Sequence, residues 1–257
     1  AGLMSAGGII APVIPPSIGF IVFGVAANVS ITQLFLAGVV PGLLMGMSLM
    51  VAWWLVSRRA NLKTEPRQPW SARGKAALDG FFALMMPVII LGGIKFGIVT
   101  PTEAAVVAVV YALLVGLFIY RELELSKIYH YVLTAAKTTS VVMFLVAAAL
   151  VSAWLITQAN IPAEVGTFLE PFKDNQTLFL IVVMILVIIV GTALDFTPTV
   201  LILTPVLMPI VKEVGIHPVY FGVLFIMNNA IGLITPPVGI VLNVVCGVAR
   251  VSMSDVA

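Results

Sequence analysis

Two stretches of this sequence have the same unusual order of residues: IPPSIGFIVFGVAANVSI (residues 14–31) and TPPVGIVLNVVCGVARVSM (residues 235–253). Each begins with two adjacent prolines and a nearby glycine, then continues through an apolar run to Gly-Val-Ala and Val-Ser. A proline has no N–H to donate and clashes with the preceding turn, so a helix is interrupted at each pair. The sequence therefore predicts two interrupted helices of related design.

The composition is that of an integral membrane protein. Apolar residues make up 61% of the chain and charged residues only 9%, whereas soluble domains carry roughly 25% charge. The apolar runs have the length of helices and differ from the alternating segments of about ten residues that build outer-membrane barrels. We therefore predict an all-α polytopic membrane protein. The net charge of +2 is small and the basic residues lie in connecting loops, which argues against nucleic acid as a partner.

The lengths of the apolar runs separate full spans from half-helices. A span needs about 20 residues, each rising about 1.5 Å. The runs 33–57, 78–98, 102–120 and 138–157 can cross alone, whereas 20–28, 198–211, 218–231 and 237–250 are too short. Basic residues dominate 58–75, so the positive-inside rule predicts that this linker is cytoplasmic. Counting crossings from there places 160–175 outside and the end near Arg250 inside.

This orientation makes the two interrupted helices run in opposite directions. Such inverted repeats are typical of secondary transporters, whose broken helices meet near the membrane midplane. Unwound carbonyls at that depth need a partner, and a sodium ion suits converging carbonyls and a hydroxyl. The N-terminus of the following half-helix offers free N–H groups that suit an anion. The alternative that the prolines only kink packed helices stays open.

A second constellation is GTALDFTPTVLILTP (residues 191–205). Asp195 is the only acid embedded in a long apolar segment, where a charge costs about 2.5–3.5 kcal/mol on insertion scales. Apolar arms on both sides of this polar stretch predict a re-entrant hairpin whose tip meets the break at 232–239. Asp195 is a candidate to bind sodium, take a proton or orient its neighbours. A role as the cap of the second arm is compatible with all three.

Three further features leave alternatives open. Segment 122–136 is amphipathic and is either an interfacial helix or the polar start of the next span. Asn228, Asn229 and Asn243 lie in apolar runs, where they either line the cavity or bond between helices. Glycine pairs at small-xxx-small spacing, Gly42 with Gly46 and Gly93 with Gly97, predict close helix packing.

The motifs of the common membrane enzymes and pumps do not occur in this sequence. It has no G-x-x-x-x-G-K-[ST] phosphate loop, which argues against an ATPase. It has neither H-E-x-x-H nor G-x-S-x-G, and a single intramembrane Asp forms no carboxylate dyad. An enzyme that uses Asp195 is therefore an unsupported rival, and a purely structural membrane subunit is another.

Four stretches together resemble a known family: SAGGIIAPVIPPSIGF (5–20), GIKFGIVTPTEAA (93–105), GTALDFTPT (191–199) and GLITPPVGIVLNV (232–244). They are similar to the C-terminal part of the large membrane subunit, the DctM-like permease, of tripartite ATP-independent periplasmic (TRAP) transporters. The resemblance covers essentially the whole chain. It implies an elevator-type secondary transporter of the ion transporter superfamily in the bacterial inner membrane.

The resemblance also implies a function and partners. The family imports organic acids, such as sialic acid or a dicarboxylate, together with sodium ions. A soluble periplasmic binding protein delivers the substrate, and a small membrane subunit braces the scaffold within the lipid. A sodium- or proton-coupled carboxylate transporter or antiporter of the same superfamily, working without a binding protein, is the alternative.

Site residues follow from the resemblance position by position. One sodium site uses main-chain oxygens that match Ala11, Ile14 and Pro15, where Ala11 stands in place of the family's glycine. Its first hairpin, with a serine-rich tip, is expected before Ala1. The other site matches Gly191, Gly232, Thr235 and Val238. Candidates for substrate binding or coupling are Asp195, Pro16, Ser17, Thr197, Pro236, Asn228 and Asn229.

The predicted organisation joins these segments into two functional groups. The transport domain contains the end of the first broken helix (1–28), the re-entrant hairpin (177–215) and the second broken helix (217–250). The scaffold comprises 78–157, with an amphipathic arm near 122–136. A transmembrane helix (33–57) and the cytoplasmic linker (58–75) lie between the first broken helix and the scaffold in the chain.

Overall fold

The computed structural model describes residues 2–59, 68–236, 238–250 and 252. Over these residues it is built of α-helices with short irregular connections and contains no strand, which confirms the all-α prediction. In chain order the helices are α1 Gly2–Gly8, α2 Ile18–Ala27, α3 Ile31–Arg59, α4 Trp70–Asp79, α5 Phe81–Lys95, α6 Pro101–Leu114, α7 Leu125–Gln158, α8 Ile161–Leu169, α9 Gln176–Ala193, α10 Phe196–Glu213, α11 Pro218–Gly232 and α12 Ile240–Ala249.

Five apolar helices have the length of a membrane span. They are α3, α6 with its terminal π-turn Val115–Ile119, α7, α9 and α10. The pair α4 and α5 would make a further span, bent by 52°. Helix α7 buries none of its residues against the described chain, as expected for an apolar helix whose solvent is hydrocarbon. The helical polytopic architecture agrees with the composition.

The prediction that 198–211 is too short to span is wrong. Helix α10 is 18 residues long because it begins two residues earlier and ends two residues later. Asp195 caps its N-terminus, and Pro198 lies in the first turn, where an N–H has no acceptor within the helix. Each arm of the hairpin is therefore a full helix, and the turn between them is only Leu194 and Asp195.

The chain forms two compact units, one of Ala1–Val51 with Val142–Ala257 and the other of Ala52–Val141. In the first unit α9 packs along α11 and α10 packs along α2. Its core contains the buried rings of Phe23, Phe221 and Phe225, whose centroids lie 5.8–6.4 Å apart. This unit contains both 1–28 and 177–250, the segments predicted for transport.

The second unit is an antiparallel packing of α5 with α6. Two tyrosine hydroxyls stabilise this packing. Tyr111 Oη donates to Phe82 O at 2.8 Å, and Tyr120 Oη donates to Asp79 O at 2.6 Å. Helix α6 begins with a capping box between Thr100 and Glu103. These contacts lie within 78–120, the first part of the predicted scaffold.

Three predicted connections contain more helix than expected. Residues 70–75 of the linker 58–75 belong to α4 and Arg58 and Arg59 to α3, while 60–67 lie outside the described residues. From Leu125 onward, segment 122–136 is the beginning of the continuous helix α7, so the separate interfacial helix is not formed. The outside connection 160–175 contains α8, because its apolar face buries Leu169 and packs against α10.

The predicted glycine contacts are only partly present. Gly42 lies against the side chain of Ile14, but Gly46 has no other group within 4 Å of the position a Cβ would take. The tightest approach on α3 is instead at Gly38, where a Cβ would lie 2.4 Å from Phe20 Cε2. Gly97 has φ +69 and serves a turn rather than helix packing.

We expect Gly38→Ala to lower the unfolding midpoint of the detergent-solubilised protein, and Gly46→Ala to leave it unchanged or raise it. The Phe20 ring is fully buried and meets Phe35 edge to face, so it cannot yield to an added methyl group. Overpacking of this kind costs about 1–3 kcal/mol, whereas Gly→Ala in open helix gains up to about 1 kcal/mol. Thermal scanning fluorimetry compares the two variants, and equal midpoints would contradict the packing of α3 described here.

Candidate ion and substrate site

A cavity of about 410 Å³ lies where the two proline breaks and the hairpin tip come together in the first unit. It is of a size that suits a small organic molecule. The lining residues come from the first break and α2, from the start of α10, and from the second break and α12: Gly8, Ala11, Pro12, Pro16, Ser17, Ile18, Gly19, Phe196, Thr197, Leu233 and Val241. Sequence positions more than 200 residues apart therefore share one site.

The first break is stabilised by Ser17. Its hydroxyl donates to Pro12 O and accepts a hydrogen bond from Phe20 N at 3.3 Å, which makes it the N-cap of α2. The side chain is buried, and the cap holds the first turn of α2 at the edge of the cavity. Ser17 therefore fixes the irregular backbone on one side and the helix terminus on the other.

The predicted main-chain oxygens of the first break remain available. Among the described residues, no backbone N–H donates to the carbonyls of Ala11, Ile14 or Pro15. Ala11 lies at the cavity, the Pro15 side chain is buried, and Ile14 directs its side chain toward Gly42 of α3. Pro16 is exposed and lines the cavity. Carbonyls without hydrogen-bond donors are suitable cation ligands.

The hairpin tip turns at Asp195, which caps α10. Its Oδ1 accepts from Phe196 N at 2.7 Å, and its carbonyl accepts from Thr199 N at 3.2 Å and from Thr199 Oγ1 at 2.9 Å. The capping role is thus present, and the exposed carboxylate keeps acceptor capacity for a further partner. Thr197, in the first turn of α10, lines the cavity.

The second break follows the end of α11. Thr235 Oγ1 donates to Ile231 O at 2.8 Å, so the lone pairs of its hydroxyl remain free for a cation. Asn243 Nδ2 donates to Val238 O, and Gly239 adopts φ +49 to start α12. Pro236 is exposed, and Pro237 lies outside the described residues. The side chain of Asn243 thus holds Val238, a predicted sodium ligand, in place, and no sequence pattern predicts this particular contact.

The hairpin tip meets the second break through two glycines. Both Gly191 and Gly232 are buried, and a Cβ on Gly232 would lie 2.9 Å from the Cα and carbonyl carbon of Gly191. The same Cβ would lie 3.1 Å from Gly191 O, an oxygen in the last turn of α9, where carbonyls have no donor within the helix. The structure therefore brings these two predicted ligands together, with Thr235 one turn beyond Gly232.

The neighbouring asparagines have different environments. Asn228 Nδ2 donates to Met184 O on α9, which is the interhelical bond that one interpretation predicts. Asn229 is fully buried and donates from Nδ2 to Phe196 O at 3.1 Å, so it joins α11 to the hairpin tip. Neither is among the lining residues of the cavity. His217 caps α11 by accepting from Val219 N, a structural role.

Two helix N-termini border the cavity and could bind an anion. In the first turns of α2 and α10, Phe20 N and Phe196 N donate to the capping side chains of Ser17 and Asp195, so the N–H groups of Ile18, Gly19 and Thr197 are the ones left for an anion. A larger groove of about 650 Å³ between α3 and α11 is mostly apolar, with Ser48, His217 and Tyr220 as its polar side chains. Neither proline break nor the hairpin tip contributes to its lining.

The oxygen donors near the cavity fit a hard monovalent cation. Within the described residues, no cluster of three His, Cys, Asp or Glu side chains forms a metal site. The oxygen donors are the carbonyls of the first break and of Gly191, which accept no backbone N–H within the described residues, and the hydroxyl of Thr235. Gly232 O already accepts from Thr235 N at 3.1 Å and Val238 O accepts from Asn243 Nδ2, so each of these carbonyls offers a sodium ion its second lone pair. The close backbone contact of Gly191 and Gly232 leaves space for no side chain between these donors.

We expect Gly232→Ala to destabilise the protein by about 1–3 kcal/mol, because the added methyl group meets backbone atoms that cannot rotate away. The matched control is Gly247→Ala in α12, where nothing lies within 4 Å of the added carbon. The unfolding midpoint in detergent reports the difference. If the two variants have the same unfolding midpoint, the hairpin tip does not pack on the second break as described.

Comparison with known proteins places the chain in a family. The family model described as "Tripartite ATP-independent periplasmic transporter, DctM component" matches residues 1–257. A putative TRAP transporter large permease protein of Haemophilus influenzae is 56% identical over 100% of this chain, and the 2,3-diketo-L-gulonate TRAP transporter large permease protein of Escherichia coli is 54% identical over 99%. The sialic acid TRAP transporter large permease protein of Vibrio cholerae is 37% identical over 97%.

The chain spans about 60% of the length of these relatives. Its apolar helices and the match to the family model together describe a multi-pass protein of the bacterial inner membrane, from a family of permeases rather than enzymes. The chain belongs to the DctM family, the large permease component of tripartite ATP-independent periplasmic transporters.

Proposed function

We propose that the transporter containing this chain imports an organic acid together with sodium ions, by an elevator mechanism, after a periplasmic binding protein delivers the acid. Support comes from the family and from two relatives that are named for 2,3-diketo-L-gulonate and for sialic acid. Both are sugar-derived carboxylic acids. A dicarboxylate is the second substrate class in the proposal, and the small membrane subunit and membrane lipid complete the assembly.

One observation carries the proposal, the cavity at which two helix N-termini and both proline breaks meet. A carboxylate at this place would accept hydrogen bonds from the first-turn N–H groups of α2 or α10. The hydroxyl of Thr197 is a polar group for the rest of an acid, whereas the Ser17 hydroxyl already donates to Pro12 O. Such pairing of an anion with the ends of discontinuous helices is a general feature of secondary transporters.

Coupling would arise because the sodium ion would bind where the hairpin tip meets the second break, and the acid would bind in the cavity beside that contact. A sodium ion at Gly191, Gly232, Thr235 and Val238 would link the hairpin tip to the second break, and these two elements form one wall of the cavity. An ion at the carbonyls of Ala11, Ile14 and Pro15 would stabilise the opposite wall. The acid would then find its cavity fully shaped only when the ions are bound.

The driving force for uphill import would come from the ions. Each sodium ion that moves inward through a potential of 100 mV releases about 2.3 kcal/mol. Asp195, exposed at the hairpin tip, is a coupling candidate that would add negative charge near the ions. In the elevator mechanism the helices around the cavity would carry ion and acid together, and their mutual packing, α9 on α11 and α10 on α2, suits movement as one body.

We expect Thr235→Ala to raise the sodium concentration for half-maximal uptake about tenfold or more, because a ligand oxygen is removed. The complete transporter is reconstituted into proteoliposomes with its binding protein and radiolabelled acid, under a sodium or a potassium gradient. Thr157→Ala is the matched control, since Thr157 Oγ1 donates to Ala153 O with the same i−4 geometry and the same 2.8 Å distance.

If the wild type takes up the acid equally well under a sodium and a potassium gradient, the proposed coupling is contradicted. Uptake without the binding protein would favour the alternative, a carboxylate transporter or antiporter of the same superfamily that works alone. If Thr235→Ala and Thr157→Ala respond equally to sodium, the Thr235 hydroxyl is not a ligand.

We expect Ser17→Ala to raise the substrate concentration for half-maximal uptake severalfold, because α2 loses the cap that holds its first turn at the cavity. Ser30→Ala removes a hydroxyl that accepts from Gln33 N at the same 3.3 Å distance, at the exposed start of α3. It should change stability by about 1 kcal/mol without an effect on substrate. Equal substrate affinities in the two variants would show that the first turn of α2 does not contribute to the acid site.

A further inference from the structure

The amide of Asn229 has an unusual position at the junction of the hairpin tip and α11. The side chain is fully buried, and its Oδ1 has no hydrogen-bond partner within the described part of the chain. The same oxygen lies 3.0 Å from the position that a Cβ on Gly191 would take. A buried amide oxygen without a partner is costly, so its retention points to a ligand that supplies positive charge or a proton.

The orientation of this amide is fixed by its other end. Phe196 O only accepts hydrogen bonds, so the atom that faces it at 3.1 Å must be the NH₂ group. Exchanging the two atoms would place an acceptor against an acceptor and leave two donors buried. Oδ1 therefore points away from the hairpin turn and toward the contact of Gly191 and Gly232.

We propose that Asn229 Oδ1 is a further ligand of the sodium ion held between the hairpin tip and the second break. This inference rests on the proposed sodium coupling and adds to the expected set a side-chain oxygen from within α11. One residue would then bind the ion with its oxygen and the hairpin with its nitrogen. Loss of the ion would leave that oxygen unsatisfied at the place where the two elements meet.

Asn228 provides a matched control. It is the adjacent residue on the same helix, and its Nδ2 also bridges to a backbone carbonyl, Met184 O on α9. An interhelical bond is thus lost in both Asn229→Leu and Asn228→Leu, whereas the candidate ion ligand is lost only in the first. Asn229→Asp separates the two functions of the amide, because it keeps an oxygen acceptor but loses the donor to Phe196 O.

The experiment measures unfolding midpoints of the complete transporter in detergent over a series of sodium chloride concentrations, with potassium chloride keeping the total salt constant. Wild type and Asn228→Leu should show the same sodium-dependent rise. Asn229→Leu should need at least tenfold more sodium for half of that rise, and Asn229→Asp should retain it. Uptake is then measured on the same variants as a second readout.

The outcomes are distinct. If Asn229→Leu keeps the wild-type sodium response, or if Asn229→Asp loses it as fully as Asn229→Leu does, the oxygen is not a ligand and the inference is overturned. If the wild type shows no sodium response, the proposed coupling itself fails, and the inference with it.

Discussion

Interrupted helices within apolar segments impose the constraint on which this site depends. Each proline pair removes two N–H donors, and a carbonyl that loses its donor at membrane depth needs another partner. The first break leaves the carbonyls of Ala11, Ile14 and Pro15 without backbone donors among the described residues. In the proposed function a bound cation would satisfy these carbonyls without closing the cavity.

The two breaks use the same local device to keep their shape. A side chain five residues further along donates to a carbonyl of the irregular segment, Ser17 to Pro12 O in the first and Asn243 to Val238 O in the second. One group is a hydroxyl at a helix N-cap and the other an amide within the first turns of α12. The two contacts lie at different positions of the repeated pattern, because Ser17 and Val238 are the residues that follow the two proline pairs.

Periodicity and composition predicted the helices well, because lipid as solvent permits few other structures. They predicted the hairpin and its capping Asp195, since an acid between two apolar arms has few other roles. They missed α8 and the full length of α10, because a cap at Asp195 and a proline in the first turn extend a helix that hydropathy alone cuts short. No local pattern reveals which of two adjacent asparagines reaches Phe196 O, because that depends on how α11 is rotated against α10.

The backbone contact of Gly191 and Gly232 would allow the proposed ion site and the proposed acid site to be linked over a short distance. A Cβ at Gly232 would lie 2.9 Å from the backbone of Gly191, so a side chain there would force the hairpin tip away from the second break. The same two elements contribute Phe196, Thr197 and Leu233 to the cavity wall. Anything that draws the tip toward the break therefore changes the cavity directly, without a relay through the rest of the fold. Coupling of this kind requires only that the ion binds the closed arrangement more tightly than the open one.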